Sequence, residues 1–380
     1  MIPISRPLIG DEEIRAVSEV LRSGMLAQGK RVAEFESRFA SYIGASHGVA
    51  VSNGTAALHI ALLAAGLGPD DEVVTTPLSF FATASTILLV GARPVFVDVD
   101  LETYDLDPGE VEAAISDKTK MILPVHLFGH PADMDPIMKI AEERGLLVLE
   151  DAAQAHGAEY RGKKVGSIGH MAAFSFYPTK NMTTAEGGII TTNDSELAEK
   201  ARLIRDHGQK AKYVHVLLGF NYRMTDLQAA IGLVQLKKLE QMNERRRSIA
   251  RTYIEELSRL DGLEVPVEKP WAKHAWHLFP LRAVKVHRDK LIEAIRKRGV
   301  DARPSYPSPI YEQPVMVDLG KKGVDPLWFA RSGEAFKKRS CPNAERLVRE
   351  TLLIPIHPGL SEEDVESVVR AVKEAYAEVA

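Results

Sequence analysis

The chain is poor in cysteine: its 380 residues contain a single one, Cys341. One thiol cannot form a disulfide within the chain, and a chain of this length can bury a sufficient core without one. The first residues also lack a charged segment followed by an apolar run, so the sequence predicts no signal peptide. We therefore expect a protein of a reducing compartment, the cytoplasm.

Long hydrophobic runs and an excess of one charge are absent as well. Apolar stretches such as residues 82–90 fall far short of the roughly 20 residues that a membrane-spanning helix requires. The 48 lysines and arginines nearly balance the 52 aspartates and glutamates, for a net charge of −4, which argues against general nucleic-acid binding. The basic run at 243–247 (NERRR) allows a nucleic-acid patch or a solvated helix face, and the lack of interleaved aromatics favours the latter. We expect no membrane or nucleic-acid partner and no metal site.

The first 150 residues instead show an alternation of helical and strand patterns. Helices are predicted over 11–23 (capped by Asp11), 55–66, 80–90, 108–115 and 133–144. Strands are predicted over 49–52, 72–76, 94–99, 121–126 and 146–150. This alternation predicts an α/β fold with a mostly parallel sheet covered by helices on both faces. In such sheets a ligand lies beyond the carboxyl ends of the strands.

The pattern changes at about residue 225, where a long charged helix is predicted to run to about residue 260. Short strands (263–267 and 277–284) and helices (289–298 and 362–378) follow, which is typical of a smaller α+β domain. We therefore predict a large domain over residues 1–245 and a small C-terminal domain over residues 246–380. The stretch 303–314 contains four prolines and is predicted to be a loop over the active site.

Three segments carry candidate chemistry at the predicted sheet edge. In Ser52-Asn53-Gly54-Thr55 a strand ends and a helix begins, and the free N–H groups of that helix suit a phosphate, although an ordinary N-cap would look the same. Asp151 follows a buried strand, where its carboxylate could pair with a protonated heterocyclic nitrogen or form an ordinary cap or salt bridge. Lys180 lies in a turn beside aromatics and glycines, where desolvation would depress its pKa and allow a Schiff base, whereas most lysines are simply solvated.

Together these segments resemble the DegT/DnrJ/EryC1/StrS sugar aminotransferases, which have the aspartate aminotransferase fold (fold type I). The resemblance rests on seven ordered segments: RPLIGDEE, SNGTAAL, PVHLFGHPADMDPI, EDAAQAHGA, FSFYPTKNMTTAEGG, LGFNYRMTDLQAAIG and LLIPIHPGLSEEDV. It covers nearly the whole chain. It implies a large domain with a mostly parallel sheet of the seven-stranded type, flanked by helices, and a smaller α+β domain.

The resemblance also implies a cofactor, pyridoxal 5′-phosphate (PLP), which cycles through pyridoxamine 5′-phosphate, and a role for each matching residue. Lys180 would hold PLP and act as the proton carrier, and Asp151 would keep the pyridine nitrogen protonated. The remaining cofactor residues would be Gly54, Thr55 and Ser175 at the phosphate, Gln154 near the phenolic oxygen, Phe80 stacked on the ring (with Phe81 as the rival), and Asn221 at the phosphate of the neighbouring subunit. If Asn221 instead caps its own helix, it would not contact the phosphate of the neighbouring subunit.

Three further residues are weaker candidates for contact with the substrate. His156 could equally be structural, and Arg223 could simply pair with a carboxylate. Tyr311 stands in SPIYEQP, where many relatives have a histidine, and is the candidate to replace it.

The implied reaction takes an amino group from an amino acid, L-glutamate, and gives it to the keto group of a nucleotide-linked sugar, with release of 2-oxoglutarate. The implied assembly is a homodimer with shared active sites. Two alternatives remain: a sugar dehydratase of the same fold, although those relatives have histidine where this chain has Lys180, and a non-catalytic regulatory or sensor protein.

Overall fold

The computed structural model describes residues 1–322 and 335–380. Its α-helices are α1 (Asp11–Ser23), α2 (Lys30–Ile43), α3 (Gly54–Ala64), α4 (Ala82–Leu89), α5 (Pro108–Val111), α6 (Met134–Arg144), α7 (Ser195–Arg205), α8 (Asp226–Leu257), α9 (Arg288–Lys297), α10 (Pro314–Lys322), α11 (Pro342–Glu350) and α12 (Glu362–Val379). Its strands are β1 (His47–Val51), β2 (Glu72–Thr75), β3 (Arg93–Phe96), β4 (Thr119–Leu123), β5 (Leu147–Asp151), β6 (Glu159–Tyr160), β7 (Lys163–Lys164), β8 (Met171–Ser175), β9 (Gly188–Thr192), β10 (Gln209–Ala211), β11 (Val214–His215), β12 (Leu263–Glu264), β13 (Ala272–Lys273), β14 (Phe279–Ala283), β15 (Arg303–Pro304), β16 (Lys337–Lys338) and β17 (Thr351–Ile354).

The large sheet has the strand order β1-β9-β8-β5-β4-β2-β3-β16. Every neighbouring pair from β8 to β16 is parallel, and only β9 runs antiparallel to both of its neighbours. The predicted mostly parallel sheet is therefore confirmed. Strand β9 is reversed because a turn, not a crossover helix, joins it to β8. That turn contains Lys180, and because β8 is parallel to β5, the turn lies at the same sheet edge as the end of β5.

Helices cover both faces of this sheet, as predicted. Helix α3 is apolar almost all round and is buried along nearly its whole length, as expected for a helix inside a core. On the other face Phe35 and Phe39 of α2 pack edge-on against Phe174 and Phe176, with ring centroids 5.0–5.3 Å apart. Helix α2 was not predicted from the sequence, although its aromatic residues fix this face of the sheet.

The C-terminal part contains an antiparallel sheet of order β12-β14-β17-β15. Helices α9 and α12 and the end of α8 bury their apolar side chains against it. The chain also returns to the large core, because Ile310, Tyr311 and α11 pack there and β16 extends the large sheet. The domain boundary near residue 245, which falls inside α8, stays a prediction.

Several element boundaries differ from those predicted. Asp11 does not cap α1: the N-cap is Gly10, whose N–H donates to the buried Glu13 carboxylate at 2.9 Å. Helix α4 begins at Ala82 and not at residue 80, and the helix predicted over 108–115 ends early in a 3₁₀ turn, Glu112–Ala114. The proline-rich stretch is mainly loop but contains β15 and a 3₁₀ turn, Ile310–Glu312.

The arginines of the basic run on α8 all contact their own chain. Arg245 pairs with Glu362 at 2.6 Å, and Arg247 pairs with Glu268 at 2.8 Å. Arg246 is buried and donates to the Ile356 carbonyl at 2.7 Å, so the prediction of a solvated face is wrong for this residue. In the described parts of the chain, no helix is both long enough and apolar enough to cross a membrane.

Candidate active site

Glu150 and Asp151 are the last two residues of β5. Because side chains alternate along a strand, their carboxylates point to opposite faces of the sheet. Glu150 accepts hydrogen bonds from the backbone of Gly166, Ile168 and Gly169 and from His126 Nε2, at 2.7–3.0 Å. The oxygens of the Glu150 carboxylate are thus used to hold the loop that precedes β8. Asp151 accepts only from the Thr83 hydroxyl at 2.8 Å and from the Ala153 N–H at 3.2 Å among the described residues. Asp151 is therefore the carboxylate with capacity for a ligand.

The electrostatic setting of Asp151 combines burial with nearby positive charge. Burial raises the pKa of this carboxyl group, while the Thr83 hydrogen bond, the Ala153 N–H and the Lys180 charge pull the pKa back down. A buried carboxylate of this kind gains most from a cationic partner, because the partner offsets the cost of desolvation. A protonated ring nitrogen is one such partner.

Lys180 lies in the turn between β8 and β9. The turn is held by hydrogen bonds from the Lys180 N–H to the Tyr177 carbonyl (2.9 Å) and from the Thr184 N–H to the Phe176 carbonyl (3.0 Å). Burial lowers the pKa of the Lys180 amine to about 8, against the opposing attraction of Asp151. An appreciable fraction of the amine is thus neutral near physiological pH and can act as a nucleophile or a base.

Gly54, Thr55 and Ser175 meet where β1 leads into α3. Asn53 caps this helix by accepting from the Ala56 N–H at 2.8 Å, while the other N–H groups of the first turn have no intrahelical partner. A Cβ atom on Gly54 would lie 2.6 Å from Ser175 Cβ, so the close approach of the two segments requires glycine. Thr55 is exposed and Ser175 is half-buried, which leaves their hydroxyl groups accessible beside the helix N-terminus.

Gln154 is held at both ends of its amide. Its Oε1 accepts from the Phe128 N–H at 2.9 Å, and its Nε2 donates to the Tyr306 hydroxyl at 3.1 Å. Burial and the nearby Asp151 charge raise the pKa of Tyr306 to about 12, so this hydroxyl stays protonated. Tyr306 was not predicted as a site residue, although it lies in the proline-rich stretch predicted to cover the site.

Phe80 precedes α4, and its side chain is 64% exposed. It is thus not a core phenylalanine, whereas Phe81 packs against the core. The Phe80 carbonyl accepts from the N–H of Thr83, the residue whose hydroxyl holds Asp151. Phe80 therefore stands near Asp151 with an exposed ring, and its stacking role stays a prediction.

The remaining candidates are placed as follows. Asn221 is exposed and does not cap α8, since Thr225 is the N-cap. Arg223 forms an ion pair with Asp206 at 2.5 Å, which is the carboxylate contact named above as the alternative to a substrate contact. Tyr311 is buried, and its hydroxyl donates to Glu345 at 3.0 Å, so it is engaged in packing within its own chain.

His156 is fully buried between Phe174 and Phe176. Burial, and next the positive charge of Lys180, lower its pKa to about 3, so the ring is neutral. Neither ring nitrogen has a hydrogen-bond partner among the described residues. The packing of His156 between two phenylalanine rings favours the structural interpretation, and its contact with substrate stays a prediction.

Comparison with known proteins gives a family and a set of close relatives. The sequence model of the DegT/DnrJ/EryC1/StrS aminotransferase family matches residues 7–373. The chain is 44% identical to the pleiotropic regulatory protein of Geobacillus stearothermophilus, over 96% of this chain and 94% of that protein. It is 39% identical to the GDP-perosamine synthase of Caulobacter vibrioides, over 98% and 97% of the two chains. Among solved structures, the PLP form of Spr1654 from Streptococcus pneumoniae matches with a TM-score of 0.90 at 28% identity, over 100% of this chain and 99% of that chain.

The residues at this sheet edge fit PLP. The hydroxyl groups of Thr55 and Ser175 lie beside the N-terminus of α3, whose free N–H groups suit a phosphate, and glycine at position 54 allows the two segments to approach this closely. The amine of Lys180 has a lowered pKa, and the Asp151 carboxylate stands close enough to perturb it. Gln154 and the exposed ring of Phe80 complete a set that could hold a planar heterocycle.

Proposed function

The chain belongs to the DegT/DnrJ/EryC1/StrS aminotransferase family, and we propose that this PLP-dependent aminotransferase transfers the amino group of L-glutamate to the keto group of a nucleotide-linked sugar. The products would be an amino sugar, for a polysaccharide, another glycan or an antibiotic, and 2-oxoglutarate. The observation that carries the proposal is that the buried Lys180 amine and the Asp151 carboxylate lie close enough for their charges to interact, at the edge where Gly54 meets Ser175. The likeness to a GDP-perosamine synthase over nearly the full length supports a sugar nucleotide as substrate.

Lys180 has the chemistry to bind the cofactor and to move a proton. Its pKa of about 8 lets Nζ hold a proton or accept one near neutral pH, as a general acid and base must. PLP, when bound, supplies an electron sink for the bonds broken at the amino-bearing carbon. Release of 2-oxoglutarate leaves the amino group available to the sugar, and the same lysine serves both halves of the exchange.

Asp151 and the β1–α3 turn orient the cofactor. Asp151 would hold the ring nitrogen, and its negative charge would favour the protonated form of that nitrogen. Gly54, Thr55 and Ser175 offer donors to the phosphate, Gln154 to the phenolic oxygen, and Phe80 a stacking face. Each of these assignments is part of the proposal.

The active form we propose is a homodimer in which Asn221 reaches the partner's cofactor phosphate. In its own chain the Asn221 side chain is exposed and has no hydrogen-bond partner among the described residues. It follows the projecting hairpin β10–β11, where Tyr213, Val214 and Val216 are exposed and Leu218 is 97% exposed. Exposed apolar side chains in such number are typical of a surface that a partner covers.

Two other functions predict different behaviour. A sugar dehydratase of this fold would use a histidine where this chain has Lys180. A purely regulatory protein, as the name of one relative implies for that relative, would not need an amine with a pKa of about 8 beside a buried carboxylate. Both observations favour the aminotransferase, and we place it in the cytoplasm because of the single buried thiol.

The proposed function is tested by incubating the purified protein and PLP with L-glutamate and a panel of nucleotide-linked keto sugars. We expect 2-oxoglutarate and an amino sugar to form in equal amounts with at least one sugar. A sugar that loses water without gaining nitrogen would identify a dehydratase. A protein that takes up no PLP and remains colourless would favour the regulatory alternative.

A further inference from the structure

Asn181, the residue directly after Lys180, lies at the centre of a buried hydrogen-bond network. Its side chain is 2% exposed. Its amide contacts Asn243 on α8 (2.8 Å), the Ala275 carbonyl (2.8 Å) and His277 Nδ1 (3.1 Å). We propose that Asn181 is a positioning residue that clamps the Lys180 turn to α8 and to the segment before β14, and thereby fixes the lysine amine beside Asp151. The inference rests on the proposed role of Lys180.

The donors and acceptors of the network allow one arrangement. Asn181 Nδ2 has two protons, and it donates them to Asn243 Oδ1 and the Ala275 carbonyl. Asn181 Oδ1 must then accept, so His277 donates from Nδ1 as a neutral ring. Burial, followed by the nearby charges of Lys180 and Arg246, keeps the pKa of His277 well below its usual value, which is consistent with that state. Both N–H groups and the oxygen of the Asn181 amide are therefore engaged, and no smaller side chain can replace these contacts.

The same network reaches the loop that carries Gln154. Asn243 Nδ2 donates to the His156 carbonyl at 2.8 Å, two residues after Gln154. The approach is close because residue 157 is a glycine at φ 81°, where a Cβ atom would lie 2.7 Å from Asn243 Nδ2. Asn181 and Asn243 thus join the Lys180 turn to the loop that follows Asp151, the last residue of β5.

The position of the amine determines its protonation. The charged or titratable groups that influence it are Asp151 of β5, His156 of the following loop, His277 of the segment before β14 and, through the two histidines, Arg246 of α8. Both histidines are neutral, so burial and Asp151 dominate. If the turn loosens and the amine reaches water, its pKa should rise toward the value of about 10.4 for a free lysine.

The experiment measures the pKa of Lys180 directly in the full-length, cofactor-free protein. Limited acylation with acetic anhydride over a pH series, followed by mass spectrometry of the peptide that contains residue 180, gives the pH midpoint of amine reactivity. We expect a midpoint near 8 in the unmodified protein and a rise of about one pH unit in Asn181→Ala, because desolvation is partly relieved. Asn243→Ala should raise the midpoint in the same direction, and the double variant should show less than the sum of the two shifts.

Tyr253→Phe is the matched control, since it removes one buried hydrogen bond, to the Pro355 carbonyl at 2.9 Å, outside this network. Tyr253→Phe should lower Tm and leave the pH midpoint of Lys180 acylation unchanged. A midpoint in both asparagine variants within about 0.2 pH unit of the unmodified protein, alongside a lowered Tm, would show a purely structural role and overturn the proposal. If Asn181→Ala does not fold, Asn243→Ala decides alone. The midpoint is independent of turnover, so a failure of the aminotransferase assignment would be seen separately, in the sugar panel.

Discussion

At the scale of single residues, the end of β5 shows how one strand separates a structural from a functional carboxylate. Glu150 is saturated by three backbone N–H groups and His126, whereas Asp151 keeps acceptor capacity and interacts with the charge of Lys180. The two side chains differ by one methylene and stand next to each other, so the pair is an internal control. Neutralising each should have a different consequence.

Asp151→Asn should retain the fold, because the amide oxygen can still accept from the Thr83 hydroxyl. It should slow turnover by orders of magnitude, since the charge that favours a protonated ring nitrogen is lost. Glu150→Gln should do the reverse: Tm falls, and the folded enzyme keeps its turnover. An Asp151→Asn turnover within about threefold of the unmodified enzyme, less than about 1 kcal/mol in barrier, would refute the role of Asp151.

At the scale of elements, the site depends on where strands end. The sequence predicted that Gly54, Asp151 and Lys180 share one sheet edge, because parallel strands bring their carboxyl ends together. It did not predict the contacts of Asn181 with Asn243 and His277, which lie 62 and 96 residues away along the chain. Local patterns carry no information on such pairs. For the same reason the tyrosine at 306, which holds Gln154, was not identified.

The β1–α3 turn offers a test at this scale. Gly54→Ala would place a Cβ atom 2.6 Å from Ser175 Cβ and force the two segments apart. We expect PLP affinity to fall at least about tenfold, or about 1.4 kcal/mol, measured by titration of the cofactor-free protein. Gly68→Ala is the control, because a Cβ atom there meets nothing within 4 Å. Equal affinities in the two variants would contradict a phosphate site at this turn.

At the scale of the whole molecule, the chain beyond residue 245 contacts the first core at several points, and the division at that residue stays a prediction. Helix α8 runs through that position, Tyr306 reaches Gln154, and β16 extends the large sheet. The period of the α8 pattern indicated a long helix, but no local signal indicated that the chain beyond it returns to the first core. The exposed hairpin beside Asn221 adds a surface that the single chain leaves uncovered.

Mixed dimers test whether the two sites are shared. Lys180→Ala dimers should be inactive, and Asn221→Ala dimers should bind PLP weakly. If Asn221 serves the partner's site, a hybrid of the two variants has one site with both defects and one intact site. Co-refolding at limiting PLP should then restore activity and normal PLP affinity at that site. Confirmed hybrids without an intact site would show that Asn221 acts within its own chain or not at all.

The central claim is that Lys180 holds the cofactor, and borohydride reduction tests it most directly. Reduction of the PLP-loaded protein should fix the cofactor covalently, and mass spectrometry should locate it on the peptide that contains residue 180. Lys180→Ala, treated in the same way, should gain no fixed cofactor. Fixation on another lysine of the unmodified protein, or undiminished fixation in Lys180→Ala, would contradict the account.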